Sequence, residues 1–147
     1  MDEQNAIVNV GRAIQLSVAP VFLLSAIGAM LAVMTNRLAR VVDRARGMEQ
    51  KLGHATADER RVAERDLAVM SRRARLINVA ITLCTITAML VCAVVAAMFS
   101  AAFLGFNAAI PVAILFVAAM ITFFCGLLCF LREIFLATAN LRIGGVP

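Results

Sequence analysis

The chain contains no tryptophan and no tyrosine among its 147 residues, and its single histidine is His54. The missing Trp and Tyr exclude the usual aromatic belts that hold transmembrane helices at the two membrane surfaces. The sequence also has no Gly-rich phosphate loop, no HExxH motif and no Ser-His-Asp set, so no pattern typical of an enzyme is present. His54 follows Gly53 and is best interpreted as a solvated turn residue. We therefore expect no catalytic residue, no cofactor and no metal site.

Charged residues are scarce as well. They make up 16% of the chain, whereas apolar residues make up 63%, and the mean hydropathy is +0.92. Soluble domains are nearer one quarter charged, and a water-soluble protein of this size has too little interior to hide so much apolar surface. Lipid must therefore be the solvent for much of the protein.

Two long runs lack any charged residue or histidine, at residues 13–36 and 76–131. The first run fits one membrane-spanning helix, which needs roughly 20 apolar residues. As one helix the second run would extend about 84 Å, so it must fold back on itself. The turn signal is "FLGFNAAIP", with Gly105, Asn107 and Pro111. The sequence predicts an all-α membrane protein, one domain over residues 1–147, with three transmembrane helices at about 14–36, 76–102 and 109–136.

The distribution of basic residues predicts the orientation of these helices. Eleven of the 14 Lys and Arg residues lie between Arg37 and Arg75, with six acids among them. The positive-inside rule places this segment in the cytoplasm, which puts the amino terminus outside and the carboxyl terminus inside. The acidic start "MDEQNAIVNVGR" does not resemble a cleaved signal peptide, so we expect the first span to remain as an anchor. Topology alone explains the sequence pI of 9.8, and we expect no nucleic-acid partner.

The basic segment also has a helical apolar pattern. Gly53 is a good helix stop, and Thr56 with Glu59 has the spacing of a capping box at the start of a new helix. The pattern predicts a cytoplasmic antiparallel helical hairpin at residues 37–75 that extends the first two spans as a coiled coil. Its apolar positions recur every three or four residues: Leu38, Val42, Ala45, Met48 and Leu52 on one side, and Met70, Ala74 and Ile77 on the other, with Val62 and Leu67 upstream.

A family resemblance rests on three stretches of the sequence. They are "LSVAPVFLLSAIGAMLAVMTNRLARVVDRAR", "SRRARLI" and "FLREIFLATANLR". Over about residues 13–142 the chain resembles the small bacterial inner-membrane family catalogued as domain of unknown function 2721. The resemblance implies a multi-pass protein of the bacterial inner membrane, and it implies no activity and no catalytic residue.

The first span is rich in small and mildly polar residues, and Gly28 with Ala32 has small-xxx-small spacing. In lipid such residues allow helices to approach closely and to hydrogen-bond to each other. Pro20 removes one backbone hydrogen bond and is a possible kink. One alternative is tight packing inside a single subunit, and the other is a helix that lines the axis of a homo-oligomer. The candidate axis-lining face is Gln15, Ala19, Phe22, Ala26, Ala29, Val33, Asn36 and Arg40.

Two further groups of residues are candidate sites. Cys125 and Cys129 share a helix face and suit a soft metal, but without histidines apolar packing is the favoured interpretation. The inner edge of the membrane carries a candidate charge network, namely Arg37, Asp43, Arg132 and Glu133. Glu133 is an ionisable residue at the membrane edge and so a functional candidate, but a structural ion pair with Arg132 or Arg37 is the favoured interpretation.

These observations leave two functional hypotheses. In the first, the protein is a homo-oligomeric ion-conducting or ion-sensing assembly with the first span near the axis, since channels use apolar constrictions as gates. In the second, it is a membrane scaffold or accessory subunit whose cytoplasmic hairpin docks a protein partner. In both, the cytoplasmic arginines favour anionic membrane lipid.

Overall fold

The computed structural model of the protein describes residues 3–52, 56–104 and 107–139. It is 98% helical and has no strand within those ranges. The three helices are α1 (Glu3–Leu52), α2 (Ala57–Leu104) and α3 (Ala109–Ala139). The predicted all-α class with three membrane-capable helices is confirmed. Gly53, His54 and Gly105, which were predicted to lie in turns, fall outside the described residues.

Helices α1 and α2 are much longer than one membrane crossing. They contain 50 and 48 residues, which at about 1.5 Å per residue gives roughly 70 to 75 Å. Each runs without interruption from its predicted span into the adjoining basic segment. Helix α1 also continues through Pro20, and Pro20 is buried. The charged segment is therefore a continuation of the two apolar helices.

All three helices are long and apolar enough to cross a membrane. Their most apolar windows have mean hydropathies of 2.3, 2.5 and 2.7 for α1, α2 and α3. Large apolar side chains lie on the outside, which is the arrangement expected when lipid is the solvent. On α3 the exposed ones include Ile110, Ile114, Val117, Ile121, Phe124, Leu128 and Phe135. These features are those of a multi-pass membrane protein.

Local hydrogen bonds fix where α2 and α3 begin. The Thr56 backbone N–H and side-chain hydroxyl both donate to Oε2 of Glu59, at 2.9 and 2.8 Å. The predicted pairing of these two residues at the start of α2 is confirmed, and it occupies a backbone donor that the helix leaves unpaired. At the start of α3, Oδ1 of Asn107 accepts the Ala109 N–H at 3.0 Å.

The structure divides into two compact units. Unit 1 consists of Met1–Leu31 and Leu83–Phe124. Its described interior is apolar apart from Ser17 and Thr87, and the Thr87 hydroxyl donates to the Leu83 carbonyl at 2.9 Å. On α2 the buried positions alternate at spacings of three and four, which is the period of a coiled-coil seam. They are Cys84, Thr87, Val91 and Val94.

Unit 2 consists of Ala32–Thr82 and Cys125–Pro147. It contains the basic parts of α1 and α2 and the last part of α3. Residues 41–49 of α1 and 64–74 of α2 together line an open groove of about 540 Å³. The buried apolar side chains of this unit come from all three helices: Met34, Val41, Ile77, Ala80 and Phe130.

Candidate functional site

The most unusual side chain of unit 2 is a buried acid on α3. Glu133 is the only acidic residue after Asp66 in the sequence, and its exposed fraction is 0%. A buried carboxylate is costly unless positive charge and hydrogen-bond donors compensate it. The groups around Glu133 are therefore what allows an acid at this position.

Arg73 of α2 provides the direct compensation. Its Nε and one terminal nitrogen both donate to Oε1 of Glu133, at 3.2 and 2.9 Å. Hydrogen bonds between charged partners are stronger than neutral ones, and the planar guanidinium fixes their direction. This pair joins α2 to α3 across 60 residues of sequence.

Arg37 of α1 lies on the other side of the carboxylate and is held more loosely. Its terminal nitrogen is 3.7 Å from Oε2 of Glu133, which is an ion pair without a hydrogen bond. Within the described part of the chain, Oε2 has no hydrogen-bond partner. The Arg37 guanidinium also lies over the Phe130 ring, 5.4 Å from its centre, a distance typical of a cation–π contact. The charge cluster Arg37–Arg73–Glu133 thus draws on all three helices.

The charge cluster keeps one net positive charge, because two guanidinium groups face one carboxylate. Its two arginines differ in accessibility, with 34% of the Arg37 side chain exposed and 23% of that of Arg73. Arg37 directly follows the uncharged run at 13–36, and Glu133 follows the one that ends at 131. The cluster therefore lies where the apolar parts of the helices end.

The sequence-predicted charge network is only partly assembled. Arg37 and Glu133 are brought together, whereas Asp43 and Arg132 are exposed. Arg73 was not among the predicted residues. The signal that identifies Arg73 is its helical spacing. Arg73 lies four residues before Ile77, which lies three residues before Ala80, and Ile77 and Ala80 are fully buried. A basic residue in register with a buried seam needs an acidic partner.

The candidate axis-lining face of α1 is exposed at every position. In unit 1 these residues are Gln15, Ala19, Phe22, Ala26 and Ala29, and in unit 2 they are Val33, Asn36 and Arg40. No large apolar side chain is exposed on α1 between Phe22 and Val33. The exposed residues in that interval are Ser25, Ala26, Gly28, Ala29 and Ala32. A Cβ added at Gly28 would meet nothing within 4 Å.

The cysteines are free and differ in exposure. Cys84 is buried, Cys92 and Cys125 are exposed, and Cys129 is half-buried. Over residues 3–52, 56–104 and 107–139, no three His, Cys, Asp or Glu residues are placed to hold a metal ion together. Apolar packing of Cys125 and Cys129 stays a prediction.

A family model described as a protein of unknown function, DUF2721, matches residues 17–143. The chain belongs to the DUF2721 family. The resemblance inferred from the sequence is confirmed, and the matched range contains all three members of the charge cluster. Comparison with curated proteins and with solved structures gives no match. The function must therefore be inferred from the chain's own residues.

Proposed function

We propose that this DUF2721 protein forms homo-oligomers in which α1 lies nearest the shared axis, and that the assembly conducts or senses ions. The observation that supports the proposal is the exposed face of α1. That face is small in its middle, between residues 22 and 33, and polar toward both ends, at Gln15 and at Asn36 with Arg40. No activity as an enzyme is proposed.

The contrast between residues 23–32 of α1 and the whole of α3 favours this arrangement. Helix α1 exposes large apolar side chains from Ile7 to Phe22 and again at Val33, but none between Phe22 and Val33. Lipid-facing helices gain from bulky apolar side chains, and α3 exposes them along its length. Small residues are enriched instead where one helix packs closely on another in a membrane. The bundle of one chain leaves the small face of α1 uncovered, so neighbouring copies are the natural partners for it. Contact between copies would also remove Gln15 and Asn36 from lipid.

The same arrangement suggests how ions would be controlled. Copies of Ala26 and Ala29 would form a narrow apolar stretch, and such stretches gate channels by excluding water. Arg40 would add a ring of positive charge at one mouth, which favours anions over cations. The adjoining Arg37 would contact Glu133 and Phe130 of α3 and so favour one rotation of α1. Asp43 or anionic lipid would reduce the positive charge of the ring.

The first test is the number of subunits and the ion flux of the purified protein. Native mass spectrometry in detergent counts the subunits, and reconstitution in liposomes with a chloride-sensitive or potassium-sensitive dye measures flux. We expect a closed ring of identical subunits and a flux above that of empty vesicles. A monomer refutes the proposal, and flux equal to that of empty vesicles refutes its ion-conducting form.

We further propose that the protein lies in the bacterial inner membrane with its amino terminus outside and residues 37–75 in the cytoplasm. The clustered arginines support this orientation through the positive-inside rule. In a variant that lacks the native cysteines, a membrane-impermeant thiol reagent added to whole cells should label Asn107→Cys and leave Arg61→Cys unlabelled. Both residues are exposed. Labelling of Arg61→Cys alone would show that the orientation is the opposite of the proposed one.

A second candidate function is a scaffold or accessory subunit. The groove of about 540 Å³ between residues 41–49 and 64–74 favours it. Apolar side chains from both helices line the groove, and charged residues such as Arg46, Glu49 and Glu64 are among its lining residues. A groove with this composition suits an amphipathic helix of a protein partner. A monomer without ion flux would leave this candidate as the better one.

The interpretation of residues 37–75 as a packed helical hairpin can be tested with two substitutions. Val42 is half-buried and lines the groove, whereas Arg44 is exposed. We expect Val42→Asp to lower the free energy of unfolding by about 2 kcal/mol, because a charge would enter an apolar contact. Arg44→Ala should change it by less than about 1 kcal/mol. Detergent-titrated unfolding followed by circular dichroism measures both, and equal effects would contradict the packed hairpin.

A further inference from the structure

We propose that Arg37, together with Arg40 and Arg44, binds a phosphate group at the membrane surface, and that Arg37 exchanges between this phosphate and Glu133. The ligand class is a phosphate ester or phosphate ion, which a lipid headgroup or free phosphate can supply. In the proposed oligomer Arg40 would lie at the mouth of the shared axis, so Arg37 and Arg44 carry the phosphate site in that assembly. Lipid binding by Arg37 is measured separately from ion flux, so failure of one proposal can be distinguished from failure of the other.

The geometry of the charge cluster points to Arg37 as the arginine that is free to exchange. Arg73 donates two hydrogen bonds to Oε1 of Glu133, at 3.2 and 2.9 Å. Arg37 approaches Oε2 only to 3.7 Å and is 34% exposed. One carboxylate cannot neutralise both guanidinium groups, so Arg37 carries the positive charge that remains. A second anion would complete the charge balance of the cluster.

The neighbours of Arg37 on α1 supply the rest of the site. Arg40 follows Arg37 by three residues and Arg44 follows Arg40 by four, so the three side chains project from one side of the helix. Arg40 and Arg44 are both exposed. Guanidinium groups match the geometry of phosphate oxygens and bind them through paired hydrogen bonds. Asp43 is the acid nearest in sequence, and it is exposed as well.

The position along α1 suits a lipid phosphate. Asn36 closes the uncharged run of the first span, and Arg37 is the first charged residue after it. The arginine side chains therefore begin at the level where the hydrocarbon ends and the headgroups lie. A basic residue near an anionic membrane surface contributes about 1 kcal/mol to binding. Three such residues on one side of a helix form a local site.

Lipid retention by the full-length protein in detergent tests the site. Native mass spectrometry counts bound phosphatidylglycerol as it is titrated, with phosphatidylcholine as the net-neutral lipid. We expect Arg37→Gln to weaken phosphatidylglycerol binding about fivefold. Arg61→Gln removes the same charge from an exposed position outside the site and should change binding less than twofold. Equal losses for Arg37→Gln and Arg61→Gln would overturn the proposal.

The exchange of Arg37 has its own test. Glu133→Gln and Asp43→Asn each remove one negative charge, but only the first releases Arg37 from its ion pair. We expect Glu133→Gln to strengthen phosphatidylglycerol binding more than Asp43→Asn does. Equal strengthening would refute the exchange. If Glu133→Gln does not fold, Arg37→Lys decides instead, because a lysine keeps the charge but loses the paired hydrogen bonds. Wild-type binding by Arg37→Lys then contradicts the guanidinium site.

The source of the phosphate is separated by a third measurement. Inorganic phosphate or phosphatidylglycerol is added separately to the delipidated protein, and thermal unfolding is followed by circular dichroism. Sodium chloride at matched ionic strength is the control for inorganic phosphate. An Arg37-dependent rise in the melting temperature with inorganic phosphate indicates a site for the free ion. A rise with phosphatidylglycerol alone indicates a lipid site. If neither ligand gives an Arg37-dependent effect, the phosphate site is refuted.

Discussion

Replacing Arg73 with methionine is expected to lower the free energy of unfolding by about 3–5 kcal/mol, because the change leaves a buried carboxylate without its hydrogen-bond donors. Glu133 has no exposed surface, and both of its hydrogen bonds from Arg73 end on Oε1. Arg37 then remains as an ion-pair partner at 3.7 Å. An ion pair at that distance does not replace two charge-assisted hydrogen bonds.

A double-mutant cycle separates the pair from general packing. Glu133→Met alone leaves Arg73 without its acceptor, whereas Arg73→Met with Glu133→Met removes both charges from the interior. We expect the double variant to be within about 1 kcal/mol of the wild type, since apolar replacements of a buried ion pair are often neutral or stabilising. Arg37→Met should cost about 1 kcal/mol or less, because this arginine is partly exposed and makes no hydrogen bond to Glu133.

The cycle is measured in mixed micelles by titration with a denaturing detergent, with helix content followed by circular dichroism. Additive losses in the double variant would show that Arg73 and Glu133 stabilise the protein independently. The charge cluster would then not act as a lock between the helices. A loss for Arg37→Met as large as that for Arg73→Met would contradict the loose attachment of Arg37.

Changing the size or polarity of Ala29 should have the largest effect on ion flux if α1 lines a shared axis. Ala29 is exposed in the single chain and belongs to the stretch proposed as an apolar constriction. We expect Ala29→Leu to abolish the flux of the wild type, because the added bulk from every subunit fills the axis. Ala29→Ser should raise the flux, since a hydroxyl at each copy favours water in the constriction.

Two further variants serve as a control for added bulk and as a test of ion preference. Ala113 is an exposed alanine on α3, so Ala113→Leu adds the same bulk to a helix that faces lipid and should leave flux unchanged. Asn36→Asp should weaken a preference for anions, because it places a carboxylate beside Arg37 and Arg40. Flux is measured in liposomes with matched protein content. Loss of flux in both alanine variants would point to a general defect and would remove the evidence for an axis at α1.

The membrane-spanning helices were predictable because their cause is local. Charged residues cannot lie in hydrocarbon at low cost, so the uncharged runs at 13–36 and 76–131 mark the apolar parts of the helices. The start of α2 was equally local, since Thr56 and Glu59 lie three residues apart and contact each other directly. In both cases neighbouring residues in the sequence carry the information.

The partner of Glu133 depends on contacts that are distant in sequence. Eleven basic residues lie between Arg37 and Arg75, and composition does not say which of them turns inward. Helical rotation selects Arg73, through its register with Ile77 and Ala80, while Arg132 directly before Glu133 points outward. A sequence neighbour on a helix projects about 100° away, so adjacency was a poor guide to pairing.

Gly28 offers a test of whether another molecule packs against α1. Within one chain a Cβ at this position would meet nothing within 4 Å, so the fold of the monomer leaves room for an alanine there. Intolerance of alanine at Gly28 would therefore point to a neighbouring molecule, because helix propensity favours alanine over glycine. Loss of subunits by Gly28→Ala in native mass spectrometry would identify that neighbouring molecule as a second copy of the chain.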